Sequence, residues 1–269
     1  MSELTVIQKT KTPNTIKTIY NNLINLGIKS DDVILVHSSL SAIGWVCGNE
    51  ATVNYALLKA VFGGTVAMPS HTGDNSDPAE WENPPVPKEW LDEIYASMPA
   101  FDKNNTSTRG MGRIAESFRT FPGTIRSNHP QTSFCANGKH SEYITETHAI
   151  SPQFGMDTPL GKLYSLNAKI LLLGVSYSNC TSFHLAECLT NKLPKKKMGA
   201  SINENGERKW IWFEDIDIDS DDFEQIGLDY EKEFRAVTIG KIGNADCKLF
   251  AMKPAVDFAK EWIVKNRKF

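Results

Sequence analysis

Three short, predominantly apolar runs limit what this chain can fold into: Val33, Ile34, Leu35 and Val36; Thr65, Val66, Ala67 and Met68; and 170–175, from Ile170 through Leu173 to Val175. A strand wetted on one face alternates apolar and polar residues, whereas a run that is apolar at every position suits a strand covered on both faces. Helical patterns surround these runs. From Thr15, residues Ile16, Ile19, Tyr20, Leu23 and Ile24 recur at helical spacing, and Gly27 stands where a left-handed C-cap is wanted. Between the first two runs, Val53, Ala56, Leu57, Ala60 and Val61 predict a helix over 50–62 that stops at Gly63 and Gly64. After the third run, 182–189 reads as helix. The pattern is β-α-β, and such sheets bind ligands outside the carboxyl ends of their strands. His37, Ser38 and Ser39 stand at one such end.

With 269 residues and 41% apolar side chains, the chain can bury a large core. Its 29 Lys and Arg against 32 Asp and Glu leave a net charge of −3, which gives no global basic excess for nucleic acid. No apolar run is long enough for a membrane span, and the polar start, up to Asn14, has no signal-peptide core, so the expected location is the cytoplasm. Five scattered cysteines without a CxxC pair predict reduced, mostly packed thiols. Residues 70–103, broken by Pro78, Pro84, Pro85, Pro87 and Pro99, read as a long functional loop. Strands are expected at 238–243 and 248–252, and Pro254 is expected to open a last helix carrying Val256, Phe258, Ala259, Trp262 and Ile263.

The sharpest chemical signal is His184 with Glu187, three residues apart on one helix face just past a buried strand. A carboxylate there can orient an imidazole and support its charged form, as a general base requires, and the same spacing also suits an ordinary surface pair. Cys180, His184 and Cys188 lie four apart, yet no HExxH or CxxC accompanies them, so no metal is expected. Gly110-Met111-Gly112-Arg113-Ile114-Ala115 satisfies GxGxxA, but polar residues precede it where a Rossmann strand would stand. What remains is a glycine pair entering a helix between Arg109 and Arg113, suited to an anion or simply to a loop. His37-Ser38-Ser39-Leu40-Ser41 offers backbone N–H groups to a phosphate or oxyanion. A nucleophile elbow GxSxG is missing, with Gly174-Val175-Ser176-Tyr177-Ser178 coming nearest. His129 reads as either a structural imidazole or a ligand contact, and His140 and His148 as ordinary loop or helix residues. Seven carboxylates crowd residues 214–224, a solvated face or a patch for polycations, and Lys195 to Lys197 read as a solvated basic loop.

Together, Val36-His37-Ser38-Ser39-Leu40-Ser41-Ala42-Ile43-Gly44-Trp45, Met68-Pro69-Ser70-His71-Thr72, Asn75-Ser76-Asp77-Pro78, Arg109-Gly110-Met111-Gly112, Ser127-Asn128-His129-Pro130, and Leu172-Leu173-Gly174-Val175 ahead of His184-Leu185-Ala186-Glu187 resemble the aminoglycoside 3-N-acetyltransferase family, in family order. The resemblance runs from about Thr15 to the last helix. It implies one three-layer α/β sandwich domain over 1–269, of that family's type and distinct from the GCN5-related acetyltransferase fold. It also implies acetyl-coenzyme A as donor, an aminoglycoside or other polyamine as acceptor, no metal, and no nucleic-acid or membrane partner.

Carried over by position, the family's catalytic residues fall on His184, Glu187 and Asp77. Its coenzyme A contacts fall on His37, Ser38, Ser39, Leu40, Thr72, Arg109, Met111, Gly112, Ser133 and Phe134. Asp77, Glu80, Trp81, Asp215 and Asp217 are the candidates for the acceptor, because an aminoglycoside's ammonium groups need carboxylates once taken from water. The implied reaction is direct transfer with His184 as base, and the resemblance carries an antibiotic-resistance role. The alternatives are a coenzyme A-binding member weak on aminoglycosides that acts on another amine or only binds, and a serine hydrolase using a serine within 38–41.

Overall fold

A computed structural model describes residues 3–269. The three apolar runs become the parallel centre of a seven-stranded sheet: β1 (Val33–Ser38), β2 (Thr65–Pro69) and β5 (Lys169–Leu173). The sheet is completed by β3 (Ile125–Arg126), β4 (Phe134–Gly138), β8 (Thr238–Ile242) and β9 (Ala245–Ala251), in the order β3-β4-β2-β1-β5-β9-β8, with the outer strands antiparallel. Strand β5 ends at Leu173, before the expected Val175, because Gly174 turns left-handed at φ 69°.

Side-chain alternation sorts the central strands into two cores. Val33, Leu35, Ala67, Ile170 and Leu172 face one side. There they meet α7 (Ser141–Thr145), α8 (Pro159–Ser165), α9 (Ser182–Thr190), α10 (Phe223–Phe234) and α11 (Met252–Asn266). Ile34, Val36, Val66, Leu171 and Leu173 face the other. Their partners are α2 (Ile16–Leu26), α3 (Leu40–Ile43), α4 (Asn49–Ala60) and α6 (Gly112–Arg119). The first helix, α1 (Glu3–Lys9), buries no residue. Helices therefore cover both faces, an α/β/α sandwich. Helix α2 begins with reciprocal Thr15–Thr18 bonds and ends on Gly27 at φ 103°, as its spacing predicts. Because α4 crosses on one face and α7 and α8 on the other, the chain leaves β1 in opposite directions, and a crevice opens at its carboxyl end.

Two expectations need correction. Residues 70–103 are not a bare loop: they hold two single 3-10 turns and α5 (Leu91–Ser97). Lys195 to Lys197 are not a loop either. They open β6 (Lys195–Glu204), which pairs over its full length with β7 (Glu207–Ile216) as a separate hairpin. Left-handed Asn205 and Gly206 make its turn, the conformation a two-residue hairpin loop demands. The basic start of β6 pairs with the acidic end of β7, Lys196 opposite Asp215 and Lys197 opposite Glu214. The long segment and the hairpin hold each other: Asn75 Nδ2 donates to the Ser201 carbonyl at 2.9 Å, and Ser201 N donates back to Asn75 Oδ1 at 2.8 Å.

Candidate active site

An eight-residue connection separates β5 from helix α9, which carries His184 on its first turn, so the imidazole lies over the strand ends. Phe154 stacks on the ring at 4.8 Å and 18°, and Phe223 packs on it at 4.7 Å. His184 Nδ1 is 2.5 Å from Glu187 Oε2, and the Glu187 side chain has no exposed surface. A buried carboxylate stays ionised only with donors around it. Here Asp219 N donates to Glu187 Oε1 at 2.9 Å, and Arg267 pairs with the same oxygen. With Nδ1–H turned to Glu187, Nε2 is the lone-pair nitrogen of the neutral ring, and it makes no hydrogen bond among the described residues.

His184 lines a cavity of about 210 Å³ with His37, Pro69, Asn179, Ser220 and Phe223. It runs into a groove of about 410 Å³, the two sharing Ser38, Gly110 and Met111. Ser39, Leu40, Trp45, Gly112 and Arg113 line the groove. Gly110 and Gly112 take φ of 72° and 81°, which glycine adopts without strain, and this turn aims the first N–H groups of α6 outward, without intrahelical partners. Such a terminus receives anions. The cation on the groove is Arg113, paired with Glu50 at 2.8 Å. Arg109 instead meets Asp74 at 3.7 Å and lines a different hollow of about 530 Å³ with Trp81 and Glu82.

Several residues expected on the donor side have structural work. Thr72 is buried and donates to the Pro130 carbonyl at 2.5 Å. Ser133 accepts from Arg126 Nε at 2.9 Å and donates to the Ser70 carbonyl at 2.8 Å, and Phe134 belongs to the core. On the acceptor side, Asp77 caps a 3-10 turn by accepting from Ala79 N at 2.9 Å. It also accepts from Tyr95 OH at 2.6 Å; burial first, and then this bond, push the phenol up to about 12. Asp77 is not drawn to His184. Glu80 is exposed, and Trp81 donates from Nε1 to Ser76 Oγ at 2.9 Å. Asp217 pairs with Lys196 at 2.7 Å. Asp215 departs furthest from expectation. It is 1% exposed, and it accepts from Gln153 N at 2.9 Å and Ser151 Oγ at 3.1 Å.

The buried imidazoles His37, His71, His129 and His148 are neutral. Burial pushes His37 down to about 3, and it pushes His71 to about 3 with help from the nearby His184. His129, at about 4 through burial, accepts on Nδ1 from Gln131 N and Thr132 N and donates from Nε2 to the Ile150 carbonyl at 3.3 Å. His148 donates from Nε2 to the Gln153 carbonyl and accepts from Ser127 Oγ, both at 2.9 Å, so it is a tie between loops and not an ordinary loop residue. Cys180 and Cys188 are packed thiols that burial pushes up to about 12. Among the described residues no cluster could hold a metal ion, and no helix is long and apolar enough to cross a membrane. Sequence reasoning missed Phe154 and Arg267, which come from a loop and the chain's last turn and carry no local motif.

A carboxylate-backed imidazole in a cavity that adjoins a groove, on the strand ends of an α/β/α sandwich, is an arrangement suited to acyl transfer. The family model for aminoglycoside 3-N-acetyltransferase matches residues 35–264, and the chain belongs to that family. It is 43% identical over 266 residues to the SPbeta prophage-derived aminoglycoside N(3')-acetyltransferase-like protein YokD of Bacillus subtilis, covering 97% of this chain and 96% of that one. The crystal structure of YokD matches with a TM-score of 0.96 at 42% identity over 98% of each chain. Aminoglycoside N(3)-acetyltransferase IX of Micromonospora chalcea is 32% identical over 284 residues, 98% of each. AAC-IIIb, solved as a binary complex with CoASH, matches with a TM-score of 0.83 at 26% identity over 94% of this chain and 97% of that one. The fold is this family's and not the GCN5-related one.

Proposed function

We propose that the protein transfers the acetyl group of acetyl-coenzyme A to an amine, the 3-amino group, of an aminoglycoside, and thereby confers resistance. The observation that carries this is the 2.5 Å His184–Glu187 contact on a cavity continuous with the 38–46 and 110–113 groove. The relatives support it: one is named an aminoglycoside N(3)-acetyltransferase, and another was solved with CoASH. Arg113 and the first turn of α6 would hold the donor's phosphates, with Met111 beside the thioester. His184 Nε2 takes a proton from the attacking amine as the N–C bond forms, and Glu187 supports the imidazolium. Backbone N–H groups beside Met111 receive the carbonyl oxygen as it gains charge. The C–S bond then breaks, and the imidazolium returns its proton to the leaving thiolate. Asp77, Glu80, Trp81 and Asp74 form the acceptor side in this reading.

We read 1–269 as one domain, since base, groove and Arg267 come from distant parts of the chain, and place it in the cytoplasm, where thioester donors and free thiols persist. A second reading, an acceptor less cationic than an aminoglycoside, rests on Asp215, Asp217 and Asp222 all being engaged within the protein. Release of coenzyme A thiol is measured with aminoglycosides and with simple amines, against His184→Ala. Turnover with aminoglycosides, lost in the variant, supports the first reading. Turnover confined to simple amines supports the second, and none with either refutes both.

A further inference from the structure

Arg267 follows the last turn of α11, beyond the segment matched by the family model. Its side chain is 12% exposed, and its donors fork across three groups. Nη1 donates to Glu187 Oε1, Nε and Nη2 donate to the Asp222 carboxylate at 2.7 and 2.5 Å, and Nη2 also reaches the Asp219 carbonyl at 2.7 Å. One oxygen of Glu187 is thus held by Arg267 and Asp219 N, which turns the other to His184. The same fork fastens 219–222, where Ser220 lines the cavity, and the next residue, Phe223, packs on the His184 ring.

Burying the Glu187 carboxylate is costly without a cation, and arginine is the side chain whose charge persists at any working pH. Burial opposes that charge, but the hydrogen bonds to Asp222 and Glu187 outweigh it and hold the guanidinium above its ordinary range. We propose that Arg267 is a positioning residue for acyl transfer: it partners the buried Glu187 carboxylate and keeps it aimed at His184, and it fixes the 219–223 wall of the cavity. This rests on the reading of His184 as the base.

The charged and titratable groups around the dyad are Arg267 at the end of α11, Asp219 and Asp222 ahead of α10, the Cys188 thiol on α9, which burial pushes up to about 12, His71 past β2 and His37 on β1. Both of those imidazoles are neutral, so Arg267 is the cation in contact with the dyad. Removing it makes a proton easier to add to the His184–Glu187 pair, whichever of the two holds it, and the acid limb of the rate profile moves to higher pH.

The test compares Arg267→Ala, the longer neutral Arg267→Met and the charged Arg267→Lys, by thiol release across pH and by NMR titration of the His184 ring, assigned with His184→Ala. The neutral variants should lose kcat by roughly 10-fold or more, with KM for acetyl-coenzyme A changed less than about 2-fold. Their acid limb and the His184 titration should rise by about one pH unit, while Arg267→Lys keeps the original limb with part of kcat lost. A neutral variant that folds with limb and titration unmoved overturns the proposal, including one whose kcat falls only with its folded fraction. The titration needs no turnover, so it reads Arg267 even if His184→Ala stays active and the base assignment itself fails.

Discussion

His184 and the His129–His148 pair are both imidazoles hidden beside the same sheet, yet they have opposite uses. The pair is packed ring on ring at 4.5 Å, and each ring accepts on one nitrogen from a neutral donor and donates from the other to a backbone carbonyl. Among the described residues no carboxylate touches either ring, so burial drives His129 down to about 4 and His148 well below its ordinary value. Those rings stay neutral and tie 127–132 to 148–153. His184 is packed between two phenylalanines but has a carboxylate on Nδ1 and a cavity beside it. Burial alone makes an imidazole inert, whereas burial with a paired carboxylate makes it a base whose proton has somewhere to go.

The largest effect that would break this contrast is expected from His184→Ala: turnover falls by roughly 10²- to 10⁴-fold while coenzyme A affinity, measured by calorimetry, stays within about 2-fold. A loss of only a few fold would return His184 to the class of His129. Next comes the acid response of the neutral rings. Their folded values lie below the unfolded 6.5, so below that pH the unfolded chain takes up protons that the folded protein refuses. Stability is complete above about pH 6.5 and is lost as pH falls toward 4, on the order of 2 kcal/mol by pH 5 for His129 alone. Urea unfolding at the two pH values checks this, and His129→Gln should flatten the slope.

Asp215→Asn should cost about 1–2 kcal/mol of unfolding free energy and leave the acceptor KM unchanged, because it sets a donor against Gln153 N or Ile216 N. A raised acceptor KM with stability intact would return Asp215 to the substrate side. The smallest change belongs to the exposed rim. Arg113→Ala should raise KM for acetyl-coenzyme A a few fold, more at low salt, while Arg109→Ala leaves it unchanged. The reverse order would move the donor phosphates toward the 73–86 hollow.

The sheet was legible because its three central strands are mostly apolar on both faces and bounded by Gly27, Gly63 and Gly64. The hairpin was not, because lysines open β6 and carboxylates close β7, and such a charged run reads as a solvated loop. Its signal was Asn205-Gly206 ahead of the alternating Trp210 and Trp212, a turn dipeptide that charge counting passes over. His184 and Glu187 were readable since one helix turn joins them. Arg267 was not, because it is 80 residues from the carboxylate it serves. Asp215 misled because an acidic run suggests solvent, and only the pleat of β7 turns that one side chain inward.

The reaction cavity and the groove share Ser38, Gly110 and Met111 and rest on strand and helix ends, while the hollow beside Trp81 is built from the 70–103 segment, braced by the hairpin. That separation is an evolutionary licence. Substitutions around Trp81 and Glu82 fall on exposed or half-buried positions outside both cores, where most changes leave stability nearly intact. Under the proposed assignment of sites, a lineage could therefore trade one acceptor for another without disturbing the groove or the His184–Glu187 pair.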